Sequence, residues 1–171
     1  MVLAPSKPNS EPKAVYLKDL ASFSPKERPT FIHRVSKIER KVFPSSEAFD
    51  FNSELKKKNC NLTLALKDTD TGDGPQLVGY LVSVRMKRLA LLHKICVVDQ
   101  ERGWGIGKCL IHSLRLQLEK GGCRSIQLWV DEDRKPARAL YKSYGFQEID
   151  RCIDYYGPGR TGLKMEFTIE S

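Results

Sequence analysis

The sequence predicts an α/β (α+β) chain built as one domain, with a mixed, strongly twisted central sheet of about six or seven strands flanked by about four helices. Three observations lead there. Apolar residues switch between a period of two and a helical period in the order β-α-α-β-β-β-α-β-α-β-β. The densest apolar run, Leu89 to Val98, leads through a glycine-rich turn into the longest amphipathic stretch, Ile106 to Lys120. The chain has 171 residues, 40% hydrophobic and 29% charged, which is enough for one sizeable core. Residues 14–171 are assigned to the folded domain and residues 1–13 to a flexible tail.

Each element has its own signal. Ala14 to Leu17 reads as a short first strand, and Leu20 to Pro29 as a polar connection. Thr30 is expected to cap a helix carrying Phe31, Val35, Ile38 and Val42 on one face, and Pro44 stops it. Ser45 or Ser46 then caps a shorter helix running through Glu54 to Lys58. Leu62, Leu64 and Leu66 alternate as a second strand. Asp68 to Pro75 is a turn by composition, and Gln76 to Arg85 is the third strand. Leu89 to Val98 is the fourth. Ile106, Leu110, Leu114 and Leu118 form one stripe of the long helix, which Gly121 and Gly122 close. Ser125 to Val130 is a fifth strand. Pro136 suits the first turn of a helix with Ala137, Leu140, Tyr141 and Tyr144 on one face, ended by Gly145. Phe146 to Ile153 and Thr161 to Ile169 complete a terminal pair of strands.

The chemistry concentrates at the strand-to-helix turn Arg102-Gly103-Trp104-Gly105-Ile106-Gly107-Lys108. A helix N-terminus leaves amide N–H groups unpaired and carries the positive end of the dipole. Glycines let a ligand reach that backbone, and Arg102 and Lys108 add charge, so the turn suits phosphates. It is not a Walker loop: Arg102 stands where the first glycine belongs, and Cys109 follows the lysine. It does fit R-x-x-G-x-G. That pattern resembles the pyrophosphate loop of the GNAT superfamily of N-acetyltransferases, which bind acetyl-CoA.

Later segments extend the resemblance. Lys135-Pro136-Ala137-Arg138-Ala139-Leu140-Tyr141, then Tyr144-Gly145-Phe146, is similar to the family's N-x-x-A-x-x-L-Y-x-x-x-G-F segment. Tyr155-Tyr156 resembles a tyrosine pair of the ribosomal-protein-alanine and protein N-terminal acetyltransferase branch, where it helps hold the substrate peptide. Ile38 to Pro44 looks like that branch's first substrate loop, which makes Phe43 and Pro44 substrate-binding candidates. The resemblance covers nearly everything from Ala14 onward.

It implies a single-domain GNAT fold and acetyl transfer from acetyl-CoA to a primary amine, by direct attack in a ternary complex. The expected acceptor is the α-amine of a protein N-terminus. Three alternatives stay open: a small amine such as an arylalkylamine or polyamine, a lysine side chain, and a catalytically silent acetyl-CoA-binding protein. Ile95, Cys96 and Val97 are the expected pantetheine neighbours, with an oxyanion-binding backbone N–H near Val97. Gly103 to Lys108 would face the pyrophosphate. Arg134 replaces the family's asparagine on the CoA-facing segment. Tyr141 matches the family's proton donor, and a phenol with a pKa near ~10 is protonated at neutral pH. Trp129 and Leu91 stand where relatives place bases, and neither accepts a proton. His93 matches a catalytic histidine of arylalkylamine acetyltransferases, and Asp131 is the second candidate base.

The remaining signals bound the partners and the compartment. The net charge of +8 reads as a lysine-rich solvated surface or as attraction to an anionic partner such as CoA, a ribosome or acidic peptides. No specific nucleic-acid signature is visible. The five cysteines show no metal-ligand spacing, so no metal is expected and the thiols read as free. No run reaches membrane-spanning length. The expected location is the cytoplasm, with the nucleus as the alternative.

Overall fold

The computed structural model describes residues 14–170, so the expected tail at 1–13 lies outside the described residues. The elements are β1 (Val15–Asp19), α1 (Arg28–Val42), α2 (Phe51–Glu54), β2 (Cys60–Lys67), β3 (Gln76–Met86), β4 (Leu89–Val97), α3 (Ile106–Lys120), β5 (Ser125–Asp131), α4 (Lys135–Tyr144), β6 (Gln147–Cys152) and β7 (Gly162–Thr168). They build one seven-stranded sheet in the order β1-β2-β3-β4-β5-β7-β6. Only β4 and β5 pair in parallel; every other neighbouring pair is antiparallel. The expected mixed sheet with four flanking helices is what forms.

Two apolar layers cover the sheet. On one face α3 and α4 pack Ile106, Leu110, Ile111, Leu114 and Tyr141 against Val78, Leu81, Ala90, Leu92 and Ile126. On the other, α1 and α2 pack Phe31, Val35 and Phe51 against Leu62, Leu64, Tyr80 and Val82. The stripe predicted for α3 is the buried one, whereas in α1 Phe31 and Val35 are buried, Ile38 is half-buried, Val42 is exposed and the third buried residue is Glu39.

The boundaries differ most around the first two helices. Helix α1 begins at Arg28, so Thr30 lies inside it; Pro29 is tolerated in the first turn, where its missing N–H costs no hydrogen bond. Ser45 and Ser46 start only a single 3₁₀ turn, Ser45–Glu47. The short helix α2 starts later because Asp50 caps it, accepting from the Ser53 amide at 3.2 Å.

One irregularity matters for function. In β4, Leu92 pairs with Ser83 and Lys94 with Val82, so His93 is an extra residue, a β-bulge. The bulge reverses the side-chain alternation. Leu92 buries on the α3 face, but Cys96, four residues on, buries on the α1 face.

Candidate active site

The site begins where β4 and β5 part. Their pairing covers only Leu89, Ala90 and Leu91 against Ser125, Ile126 and Gln127. Beyond Leu91 the two strands diverge, and the β4 edge on that side has no strand partner among the described residues. A backbone edge of this kind offers N–H and C=O groups to a ligand.

Two cavities adjoin along this opening. The first, about 330 Å³, is lined by Leu91 to Ile95, by Gln127 to Asp131, and by Tyr141, Tyr155 and Tyr156, with Phe43 and Glu47 across from them. The second, about 780 Å³, is lined by Ile95 to Val97, by Arg102, Gly103 and Gly105 to Lys108, and by Pro136, Ala137 and Leu140. Phe43, Ile95, Arg134 and Ala137 line both. The opening is thus an aromatic cavity joined to a glycine-loop cavity.

The glycine-loop cavity has the features of an anion site. Gly105 is the N-cap of α3 with φ +80°, and Gly103 has φ +84°, both left-handed conformations that favour glycine. A Cβ built at either position meets nothing within 4 Å, so the backbone faces open space there. Arg102 braces the turn, donating to the Val97 carbonyl at 3.1 Å and pairing with Asp99 at 3.0 Å. Trp104 is 60% exposed and is not part of the lining. Cys96 turns its side chain into the α1-side cluster, where burial pushes its thiol up to about 11.

The aromatic cavity gathers the candidate acid and bases. Tyr141, on α4, is buried, and its hydroxyl has no hydrogen-bond partner among the described residues. Burial holds its pKa above the usual phenol value, against the opposing pull of Arg134. His93 projects from the bulge with its ring 5.0 Å from that of Phe49. Desolvation, aided by neighbouring Lys94, holds its pKa below the ordinary imidazole value although the residue is exposed at its outer edge. Asp131 is already engaged: it accepts from Arg160 Nε at 3.0 Å and from the Asp133 amide at 3.0 Å. Both carboxylate oxygens therefore have donors.

The walls are aromatic. Tyr155 stacks on Trp129 with centroids 4.2 Å apart and planes 11° apart, and Tyr156 meets Tyr155 edge-on at 4.8 Å. Gly162 makes room for this, since a Cβ there would sit 2.8 Å from Tyr155. Burial raises the Tyr156 pKa, so the phenol stays neutral. Two cations approach the Phe43 ring, with Lys94 Nζ 4.0 Å and the Arg134 guanidinium 4.4 Å from its centroid. Pro44 is exposed and lines neither cavity.

Three residues not singled out in the sequence organise these walls. Glu47 pairs with Arg160, which also meets Asp131 at 2.9 Å, and with Arg134 at 3.7 Å. Lys94 donates to the Glu47 carbonyl at 2.9 Å and pairs with buried Glu39 at 3.2 Å. The only signal of Glu47 and Arg160 in the sequence is an acid just after Phe43-Pro44 and a base within the glycine-rich segment after Tyr155-Tyr156, and that of Lys94 is a cation inside an apolar strand.

Among the described residues, no group of three or more His, Cys, Asp or Glu gathers as a metal site, and no helix is long and apolar enough to cross a membrane.

Known proteins resemble this chain in sequence and in fold. The [ribosomal protein bS18]-alanine N-acetyltransferase of Haemophilus influenzae is 33% identical over 81 residues, 47% of this chain and 55% of that protein. Mycothiol acetyltransferase of Corynebacterium jeikeium is 31% identical over 71 residues, 42% of this chain and 21% of that protein. The matched segments thus span from about a fifth to just over half the length of these two curated relatives. Arabidopsis thaliana NAA60 in complex with a bisubstrate analogue superposes with a TM-score of 0.75 at 19% identity, covering 92% of this chain and 99% of that one. The ribosomal-protein-S18-alanine N-acetyltransferase of Escherichia coli gives 0.69 at 20% identity, covering 92% and 96%. At these identities the structural likeness is one of fold. Residues 28–146, more than half of the sequence, match the Acetyltransferase (GNAT) family, and the chain belongs to that family.

Proposed function

We propose that the protein is an acetyl-CoA-dependent N-acetyltransferase whose acceptor is the α-amine of a protein N-terminus. The observation that carries the reading is the junction of the two cavities. An anion-binding helix N-terminus at one end meets an aromatic slot at the other, beside the unpartnered hydroxyl of Tyr141. The chain's resemblance to ribosomal-protein-alanine acetyltransferases supports the choice of acceptor.

Each group has a task. The α3 amides and Lys108 hold the CoA diphosphate, and the free β4 edge pairs with the pantetheine arm. An N–H of that edge near Val97 stabilises the oxyanion as the amine attacks the thioester carbonyl. Tyr141 donates its proton to the departing thiolate. His93, neutral at pH 7, takes the proton lost by the amine. Trp129, Tyr155 and Tyr156 grip the first residues of the peptide, and Phe43 borders both substrates. Acetyl-CoA fits the residues present, since the larger cavity is bordered by the bare backbone of Gly103 and Gly105.

A thiol-release assay over N-terminal peptides, polyamines and arylalkylamines tests this, with mass spectrometry locating the acetyl group. Acetylation of peptide α-amines is expected. Turnover confined to small amines would replace the acceptor, and CoA binding without release on any amine would point to a silent binding protein.

A further inference from the structure

At the end of β4 opposite the glycine loop, three turns come together. They are residues 56–59 before β2, 85–88 at the β3–β4 hairpin and 119–124 after α3. Direct hydrogen bonds join them. The Arg85 amide donates to the Asn59 carbonyl at 2.8 Å and the Arg124 amide to the Arg88 carbonyl at 2.7 Å. The Arg85 guanidinium donates to the Gly121 carbonyl, and the Cys123 thiol to the Lys87 carbonyl at 3.5 Å. These fourteen residues carry eight of the chain's 29 Lys and Arg residues: Lys56, Lys57, Lys58, Arg85, Lys87, Arg88, Lys120 and Arg124. All eight are exposed.

The cations here are unbalanced. Lys57 pairs with Glu54 at 2.8 Å, and the other seven have no ion-pair partner among the described residues. At the cleft end, by contrast, Lys94, Arg102, Arg134 and Arg160 each meet a carboxylate. Much of the net +8 is thus concentrated on the face remote from the site. Stabilisation of the α3 C-terminus accounts for Lys120 and Arg85. It does not account for Lys56 to Lys58, Lys87 and Arg88, which repel one another and their neighbours. No aromatic residue lies in the three turns, so base stacking is not on offer. Met86 is the single exposed large apolar residue there, too little for insertion into a lipid surface.

We infer that this basic end docks the phosphodiester backbone of a folded polynucleotide, contacting it by charge and not by base sequence. The inference is independent of the acceptor proposed above, because none of these residues lines either cavity. Sequence-independent contacts of this kind give dissociation constants on the order of 10⁻⁴–10⁻⁶ M at physiological salt.

The test is fluorescence anisotropy of the full chain with labelled RNA and DNA duplexes of about 20 base pairs, long enough to span the footprint of a duplex-binding module. Log affinity is expected to fall linearly with log salt, by about 0.9 for each phosphate neutralised. The double substitution Lys87→Glu, Arg88→Glu should weaken binding at least ~10-fold and flatten that slope, while leaving peptide acetylation and thermal midpoint unchanged. Lys56→Gln with Lys58→Gln, which adds no acid, should act in the same direction. Tighter binding to RNA than to DNA would identify the source, and equal binding would support recognition of the shared backbone. Failure to bind either duplex, binding that survives both sets of substitutions, or binding confined to phosphatidylserine vesicles would overturn the inference.

Discussion

Glu47 and Arg160 are ion-paired across the aromatic cavity, 113 positions apart in the chain. Glu47 ends the turn after Phe43-Pro44, and Arg160 lies on the β6–β7 loop that also carries Tyr155 and Tyr156. Arg160 is held from its other side by Asp131, at the end of β5. Two loops that are separate in sequence are thus fastened to each other and to the sheet.

Loosening this clasp should affect the acceptor more than the acetyl donor. For Glu47→Gln the peptide KM is expected to rise roughly tenfold, equivalent to ~1.4 kcal/mol, with the acetyl-CoA KM unchanged. Steady-state kinetics on both substrates checks this. A double-mutant cycle with Arg160→Gln should show coupling between the two sites, and strict additivity would mean that the pair does not act as a unit.

Gly105 separates backbone strain from obstruction. Gly105→Ala adds only a methyl at a left-handed residue, since a Cβ there meets nothing within 4 Å. It should cost stability at φ +80° and weaken acetyl-CoA only modestly. Gly105→Glu places a carboxylate before the α3 amides and should abolish acetyl-CoA binding in titration calorimetry. Unchanged affinity in a folded Gly105→Glu protein would remove the loop from the cofactor site.

Tyr141→Phe deletes one hydroxyl and keeps the packing of a buried ring 5.8 Å from Phe146. The expected result is a kcat lower by ~10²–10⁴-fold at nearly constant acetyl-CoA affinity. Pre-steady-state measurement of the chemical step is the check. A wild-type rate there would leave Tyr141 with a packing role only.

His93 carries the pH prediction. Its pKa is held below the ordinary imidazole value of ~6.5, so the neutral, proton-accepting form persists to lower pH than for a free histidine. Activity falls as pH drops through that lowered pKa and His93 becomes protonated. The substrate α-amine produces a separate inflection near ~7.7–8.0. In the kcat/KM profile, His93→Gln should remove the lower inflection, keep the upper one and be slow throughout. A lower inflection surviving in the variant would assign it to another group.

Much of the fold was legible because burial imposes periodicity. The alternation of Leu62, Leu64 and Leu66 and the four-residue stripe from Ile106 to Leu118 place β2 and α3 without further information. The glycine loop and the Tyr141 segment were legible for a different reason: their spacing is local. Neither β-bulge in the centre of the sheet was legible, since an extra residue at His93, or at Val78 opposite Ala65 and Leu66, leaves the local pattern apolar. Glu47 was missed because a half-buried carboxylate in a short polar turn looks like any solvated acid. Its meaning depends on Arg160, and a pairing over such a distance leaves no periodic trace.

The extra residue at His93 also governs how the strand can change over time. From Lys94 to Val97 each side chain is in the correct layer only because of that one-residue offset. Losing His93 would restore regular pairing and turn the rest of the strand over, sending Lys94 away from Glu39 and Cys96 toward the helix α3 layer. A substitution here perturbs one contact, whereas a deletion inverts several together. This segment should therefore hold its length more strictly than its residue identities, and a library built on this chain should leave the number of residues at 92–97 alone.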